Sequence, residues 1–342
     1  MTVTTDVALP TGGEAARRGD GWPLVTVAMV AYNRRDAVRV ALGKVVRELD
    51  YPALEVIVAD NASSDGTVEM VRREFPSVRV LASPANVGAP AWNPIFRMAR
   101  GAWVLILDDD AYLEGPDLRR AVAAAEANAA DLVSFRVRSS VTPGFYFSEE
   151  DPAGLLSFWG CSALISRRAL QELGGYDPGI FIWGNEVELT TRFLNRGLRH
   201  LYLHDVVSTH MKGRSPTTPF PARWHAMTHR HWAYGVAKNL QPLDAARILG
   251  RLLGKVALHS VARSPRAAWT LPAVLAGSVH GLRARGVPVR PEVSAVYRAH
   301  YQSYATPLAV VGRRLDRLRG RGLRYYVQRA EYYPQRNALI EL

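Results

Sequence analysis

The chain has 342 residues, 48% of them hydrophobic, enough to bury one large core or two smaller ones. Its formal charge of +12 is lopsided, because residues 241–342 hold 17 Arg/Lys against 5 Asp/Glu while the first 240 residues balance. A single cysteine excludes an internal disulfide and a cysteine zinc cluster.

Residues 1–21 mix Thr, Gly, Asp and Glu with one basic pair, Arg17 and Arg18, and have no apolar stretch. They read as a disordered lead, not a secretory signal. LVTVAMV at 24–30 is a short apolar strand, followed by the polar turn YNRRD at 32–36 and helical spacing over 37–49. LEVIVA at 54–59 is a second strand, ending in DNASSDG at 60–66. A helix over 67–75 and a strand over 78–81 follow, then a loop with Asn86, Gly88 and Pro90 and a helix over 91–100. WVLIL at 103–107 is the next strand, and it runs straight into Asp108, Asp109 and Asp110.

Four apolar strands alternating with helices predict an α/β fold, a Rossmann-like mixed central sheet with helices on both faces. In such sheets ligands sit at the carboxyl ends of the strands, and the polar clusters fall there. Further along, a helix over 116–130, a strand over 131–137, a loop or hairpin over 142–152 and a strand over 158–165 are expected. A helix over 167–173 ends at Gly174 and Gly175. The aromatic loop 176–183 delivers a helix over 185–196, and short strand pieces at 201–203 and 206–207 precede His210. From residue 220 the texture turns helical, with segments near 222–238, 243–260, 267–285 and 293–319. The expected division is a lead over 1–21, a catalytic domain over 22–219 with halves 22–115 and 116–219, and a basic helical region over 220–342. No stretch reaches 18 uncharged apolar residues. The nearest, 267–282, is broken by Pro272, Gly277, Ser278 and His280, so no membrane span is expected.

Three adjacent carboxylates repel one another, and a hard divalent cation such as Mg²⁺ or Mn²⁺ relieves that repulsion. The competing reading of Asp108–Asp110 is a solvated acidic turn. Asp60 at a strand end suits a ribose or base nitrogen, whereas Asp65 fits a helix cap equally well. No GxGxxG follows the first strand and no GxxxxGK[ST] occurs, which argues against a common dinucleotide fold and a P-loop nucleotidase. Glu186 and Glu188 open a helix behind the aromatic residues Tyr176, Phe181 and Trp183. Carboxylates there either answer the helix dipole or serve as a general base towards a hydroxyl. His225 and His229 are spaced i, i+4 without an intervening Glu, so a zinc protease is not expected, and packing or acceptor contact is.

In order and spacing, residues 24–210 resemble a family 2 glycosyltransferase of the GT-A fold, such as bacterial rhamnosyl, galactosyl and N-acetylglucosaminyl transferases. The segments carrying the resemblance are VTVAMVAYNR at 25–34, EVIVADNASSDGT at 55–67, NVG at 86–88, GAWVLILDDD at 101–110, GCSALISRRAL at 160–170 and GGYD at 174–177, with NEVEL at 185–189 plus Arg192. The resemblance implies inverting, metal-dependent transfer of a hexose or deoxyhexose from a UDP- or dTDP-sugar to a hydroxyl acceptor. It implies nucleotide-sugar contacts from Ala31, Tyr32, Asn33, Arg34, Asp60, Asn86, Asp108 and Asp109. Asp110 and His210 would hold Mn²⁺ or Mg²⁺. Trp159, Gly160, Trp183 and Asn185 would face the acceptor. The base falls on Glu186 or Glu188, because Asn185 stands where the family pattern has Glu and Glu186 where it has Asp. Arg214, on a Gly-, Ser- and Pro-containing loop, is placed to clamp the diphosphate.

The arginines of 312–324 beside Leu315, Leu318 and Leu323 fit an anionic membrane surface, a dimer contact or a solvated helix, and no nucleic-acid motif accompanies them. The expected location is cytoplasmic, peripheral on the inner face of the membrane. Other readings are a nucleotidyltransferase, which lacks its Gly-rich triphosphate loop here, a non-catalytic nucleotide-sugar-binding module, and a basic adaptor.

Overall fold

Strand pairing decides where the chemistry of this chain sits. The computed structural model describes residues 2–5, 21–144, 146, 156–212, 222–262, 270–305 and 337–341. Strand β1 covers Thr2–Thr5, β2 Val25–Ala31, β3 Leu54–Asp60, β4 Arg79–Ala82, β5 Trp103–Asp108 and β6 Ala111–Tyr112. Strand β7 covers Leu132–Ser139, β8 Ser162–Ser166, β9 His200–His210 and β10 Ala338–Glu341. They form one mixed sheet in the order β1-β10-β9-β7-β8-β5-β2-β3-β4, with β6 pairing β9 at the side. Strands β2 to β5 are parallel, and β8 enters antiparallel between β5 and β7.

Alternation within the strands fills two layers. Val25, Val27, Met29 and Ala31 of β2, with Trp103, Leu105 and Leu107 of β5, face one core. That core is closed by helices α1 (Arg35–Gly43), α2 (Thr67–Glu74) and α4 (Asp117–Ala127). Ala28, Val104 and Ile106 face the other, closed by α3 (Trp92–Met98), α5 (Arg167–Leu173) and α6 (Asn185–Asn195). Period-2 burial on both faces explains why the strands read as unbroken apolar runs.

Several boundaries differ from the sequence expectation. Helical spacing over 37–49 ends in a π-helical turn over Lys44–Glu48. The two short pieces expected around 201–207 are one strand, β9, whose pairing with β7 slips between Phe135 and Arg136. The slip absorbs the polar His204-Asp205 interruption that made the sequence look like two strands. Thr2–Thr5, placed in a disordered lead by the sequence reading, pair with β10, and β10 pairs with β9. Residues 338–341 therefore return to the central sheet instead of continuing a helical tail. Four-residue strands whose partner lies more than 330 positions away leave no local signal to read.

Helices α7 (Ala222–Asn239), α8 (Pro242–Ala262) and α10 (Pro291–Ala305) pack beside α6, and α9 (Thr270–Arg283) packs on α7 and α8. Val187 and Leu194 of α6 share a cluster with Val236, Leu240, Ile248, Val293 and Tyr297. Beneath this apolar contact lies an ionic one. Lys238 on α7 bonds Asp177 and reaches Glu188 Oε1 at 3.2 Å, and the Tyr234 hydroxyl donates to Asp177 Oδ1 at 2.9 Å. Burial works to raise the Asp177 carboxyl, but the Lys238 hydrogen bond and charge outweigh it and hold it below the ordinary carboxylate range. A carboxyl lowered in the folded state adds stability above its unfolded pKa and loses it as pH falls. Lys238→Met should therefore cost about 3 kcal/mol in urea unfolding near neutral pH, with a shallower loss of stability below about pH 4 than the wild type. A variant as stable as wild type would show that this ion pair does not hold α7 in place.

Candidate active site

Parallel register lines up the acidic strand ends. Ala31 at the end of β2 lies beside Asp60 of β3, and Val30 lies beside Asp108 of β5. Antiparallel pairing of β6 with β9 sets Ala111 opposite His210, which brings the histidine to Asp110 across 100 positions of chain. His210 Nε2 is 3.0 Å from Asp110 Oδ1, and the Met211 amide donates to the Asp110 carbonyl at 2.7 Å. Ligand atoms of Asp108, Asp110 and His210 all lie within 4.8 Å of one another. Two carboxylates and an imidazole at that spacing suit a divalent cation that accepts oxygen and nitrogen.

The three aspartates are not alike. Asp108 loses solvation and faces Asp110 and Asp109, so its carboxyl is pushed well above the usual range. Burial pushes Asp109 up to about 6, against the pull of Arg34. Burial also opposes ionisation of Asp110, but His210, Lys212 and Arg34 prevail and hold it at about 2. Arg34 supplies the bridge: its Nη1 lies 3.2 Å from Asp109 Oδ1 and 2.5 Å from Asp110 Oδ2. The guanidinium thus occupies an outer oxygen of the same carboxylate that faces His210. Lys212, two residues after His210, adds a second positive charge that the sequence reading missed. Its only sequence signal was its position just past the predicted strand.

The nucleotide-side turns hold one another. Asn33, at φ 51°, accepts from the Ser64 amide at 2.8 Å, and its own amide donates to Ser63 Oγ at 2.9 Å. Tyr32 is exposed, with its amide 3.5 Å from Asp109 Oδ2. The Ala31 carbonyl accepts from the Asn61 amide at 2.8 Å. Asp65 accepts from the Arg35 amide at 2.9 Å and from Thr67, which makes it a staple between the two turns and the start of α2. Asp60 differs: its Oδ2 accepts from the Ser63 amide, while its Oδ1 is buried without a hydrogen-bond partner among the described residues. A buried carboxylate oxygen in that state suits a ligand donor. Asn86 Oδ1 accepts from Asn61 Nδ2 at 2.9 Å and the Gly88 amide at 3.0 Å, so this oxygen shapes the loop.

On the acceptor side the two glutamates separate cleanly. Glu188 is buried, and its carboxylate is met by Arg192 Nε and Nη2 at 2.7 to 3.0 Å, by Lys238, and by Asn239 Nδ2 at 3.2 Å. Arg192 also donates to the carbonyls of Leu173 and Gly175. Glu188 therefore ties α6 to its surroundings. Glu186 lies against Gly160, where a Cβ would run into its carboxylate, and its charge helps raise Asp108. Asn185 is buried and its side chain hydrogen-bonds the Tyr176 hydroxyl. Trp159 packs beside Ala111, Val137 and Cys161 next to the acidic strand end. Trp183 sits at φ 56° immediately before Gly184 at φ 97°. His231 holds this loop, with Nδ1 2.6 Å from the Ile182 carbonyl and Nε2 accepting from the Phe181 amide at 3.4 Å. Burial lowers its pKa, in keeping with a neutral ring. Arg214 lies outside the described residues, as do 312–324.

Comparison with known proteins follows this geometry. Residues 26–174 match the family model for glycosyl transferase family 2. The matched segment is 149 of the 342 residues and resembles that family. It is 26% identical over 214 residues to glycosyltransferase AglE of Haloferax volcanii, covering 58% of this chain and 68% of that protein. It is 26% identical over 255 residues to the N-acetylglucosaminyl-diphospho-decaprenol L-rhamnosyltransferase of Mycobacterium tuberculosis, covering 60% of this chain and 82% of the relative. Across the curated relatives the share of their own length that is matched ranges from 10% to 82%. Among solved structures, the mannosyltransferase PcManGT of Pyrobaculum calidifontis, in complex with GDP-Man and Mn²⁺, matches 96% of this chain and 89% of its own at 22% identity and TM-score 0.55. At that identity the likeness shows the fold, and the GT-A architecture expected from the sequence is the one present.

Arg34 bonds the carboxylates of Asp109 and Asp110, and a divalent cation bound there would meet that guanidinium. Arg34→Ala should raise Mn²⁺ affinity of the nucleotide-free protein by about tenfold in calorimetry, roughly 1.4 kcal/mol. Unchanged or weaker Mn²⁺ binding would mean that the guanidinium does not shield the cluster.

Proposed function

We propose that this chain transfers a hexose or deoxyhexose, with inversion, from a UDP- or dTDP-linked sugar to a hydroxyl acceptor. The observation that carries the reading is the opposition of two assemblies: the aligned ends of β2, β3 and β5 with Asp108–Asp110, and Glu186 seated on Gly160 beside Asp108. Asp108, Asp110 and His210 would hold Mn²⁺ or Mg²⁺, which supplies positive charge for a leaving diphosphate. The PcManGT complex with GDP-Man and Mn²⁺ supports a nucleotide-sugar donor and a cation for this fold.

Each residue has a task in this reading. Asp60 accepts from the nucleoside through its buried Oδ1, and the Tyr32–Arg34 turn closes on the donor. Glu186 removes the proton of the acceptor hydroxyl as it attacks the anomeric carbon from the face opposite the diphosphate. Gly160 leaves room for that carboxylate. Arg34 and Lys212 add fixed positive charge where negative charge develops on the leaving group. The acceptor approaches past Trp159, Trp183 and the loop that His231 steadies. The Mycobacterium tuberculosis relative, named for a diphospho-decaprenol acceptor, supports a lipid-linked saccharide as the acceptor class.

The two glutamates supply the test. Glu186→Gln should keep donor binding and thermal stability while transfer falls by about 10² to 10⁴. Glu188→Gln should lower the melting temperature through its loosened contacts to Arg192 and Lys238. If Glu186→Gln transfers sugar at the wild-type rate, Glu186 is not the base.

A further inference from the structure

We propose that the outer face of α9 docks this protein on an anionic lipid bilayer. Helix α9 has two opposite faces. Thr270, Val274, Gly277 and Gly281 are buried, and a Cβ at either glycine would run into the backbone of α7 at Arg230 or Tyr234. The glycines thus let α9 lie directly on the α7 backbone, and the opposite stripe is turned outward. That stripe is apolar: Leu275 is 52% exposed, Val279 47% and Leu282 55%, at positions i, i+4 and i+7, with Val287 beyond the helix end at 96%. Pro272 and Ala276 extend it, and Arg283 is exposed at its end. Large apolar side chains aligned in water are costly unless something covers them.

Charge selects the occupant. No Asp or Glu occurs between Asp244 and Glu292, a stretch that holds 8 Arg/Lys. A second copy of this chain would bring the same surplus of positive charge to the contact. An anionic bilayer supplies both an apolar layer for Leu275, Val279 and Leu282 and negative headgroups for the arginines. None of the described helices is long and apolar enough to cross a membrane, so the contact is with the surface.

Docking through α9 also fixes the site relative to the lipid. Helix α7 carries α9 on one side and the aromatic loop on another, because Tyr234 packs on Gly179, Trp232 on Gly184 and His231 on Ile182. One rigid helix therefore links the lipid-facing stripe to the loop that the proposed function assigns to the acceptor. The orientation towards a lipid-linked acceptor rests on that reading, whereas the docking itself does not.

The test is sedimentation of the full chain with vesicles of phosphatidylcholine alone or mixed with phosphatidylglycerol, without donor or acceptor. Wild type should bind the mixed vesicles, less tightly as salt rises, and leave the neutral ones unbound. The triple variant Leu275→Glu, Val279→Glu, Leu282→Glu changes exposed positions only. It should keep its melting temperature and nucleotide binding while losing about tenfold or more in vesicle affinity. Wild type that ignores anionic vesicles would overturn the proposal, as would a triple variant that binds them equally well. A wild-type dimer that the triple variant dissociates, seen by light scattering, would also overturn it and assign the face to a second copy. Because no sugar chemistry is measured, failure here is separable from failure of the proposed transfer.

Discussion

Three carboxylates at the end of one strand require an answering charge, and much of the active-site side is arranged around supplying it. Asp108, Asp109 and Asp110 close β5 where burial raises the cost of every negative charge. The answers come from distant parts of the chain: Arg34 from the turn after β2, His210 and Lys212 from the end of β9. Sheet topology makes this possible, since β2 flanks β5 directly and β9 reaches Asp110 through its pairing with β6. The same electrostatic need that makes the cluster a fitting cation site also keeps it compact when arginine serves as the counterion.

A second charge network stands beside α6 as the first stands at the strand ends. Glu188, Arg192, Asp177 and Lys238 join α6 to the loop before it and to α7. Glu186, two residues earlier, lies against Gly160 beside the acidic cluster. Helix α7 is physically tied to this part of the molecule, because it fixes the loop in front of Glu186 through His231, Trp232 and Tyr234. The C-terminal helices are part of how the site keeps its shape.

The parts legible in the sequence were those with local periodicity and local chemistry. Strands β2, β3 and β5 announced themselves as apolar runs, and their ends announced themselves by Asp60 and by Asp108–Asp110. Pairings set by tertiary contact were not legible. Glu186 and Glu188 occupy the same first helical turn, and the contacts of Glu188 to Lys238 and Asn239, some 50 positions later, are not displayed by the local sequence. The hydrogen bond between Asn185 and the Tyr176 hydroxyl joins a helix start to the loop before it, a contact no local pattern displays. Thr2–Thr5 and Ala338–Glu341 are too short to show a pattern, and each takes its strand character from a remote partner. Arg34 was read as a nucleotide contact, and its bridge to Asp109 and Asp110 depends on strand order, which a single sequence does not display.

The central claim is that the aligned strand ends form a cation-dependent nucleotide-sugar site, and nucleotide binding tests it most directly. Calorimetry of UDP, dTDP, GDP and ADP with Mn²⁺, Mg²⁺ or chelator should be run on the wild type and on Asp110→Ala. Selective binding of UDP or dTDP that requires the cation and disappears in Asp110→Ala is the expected result. Binding of no nucleotide under any cation, or equal binding by Asp110→Ala, would contradict the claim.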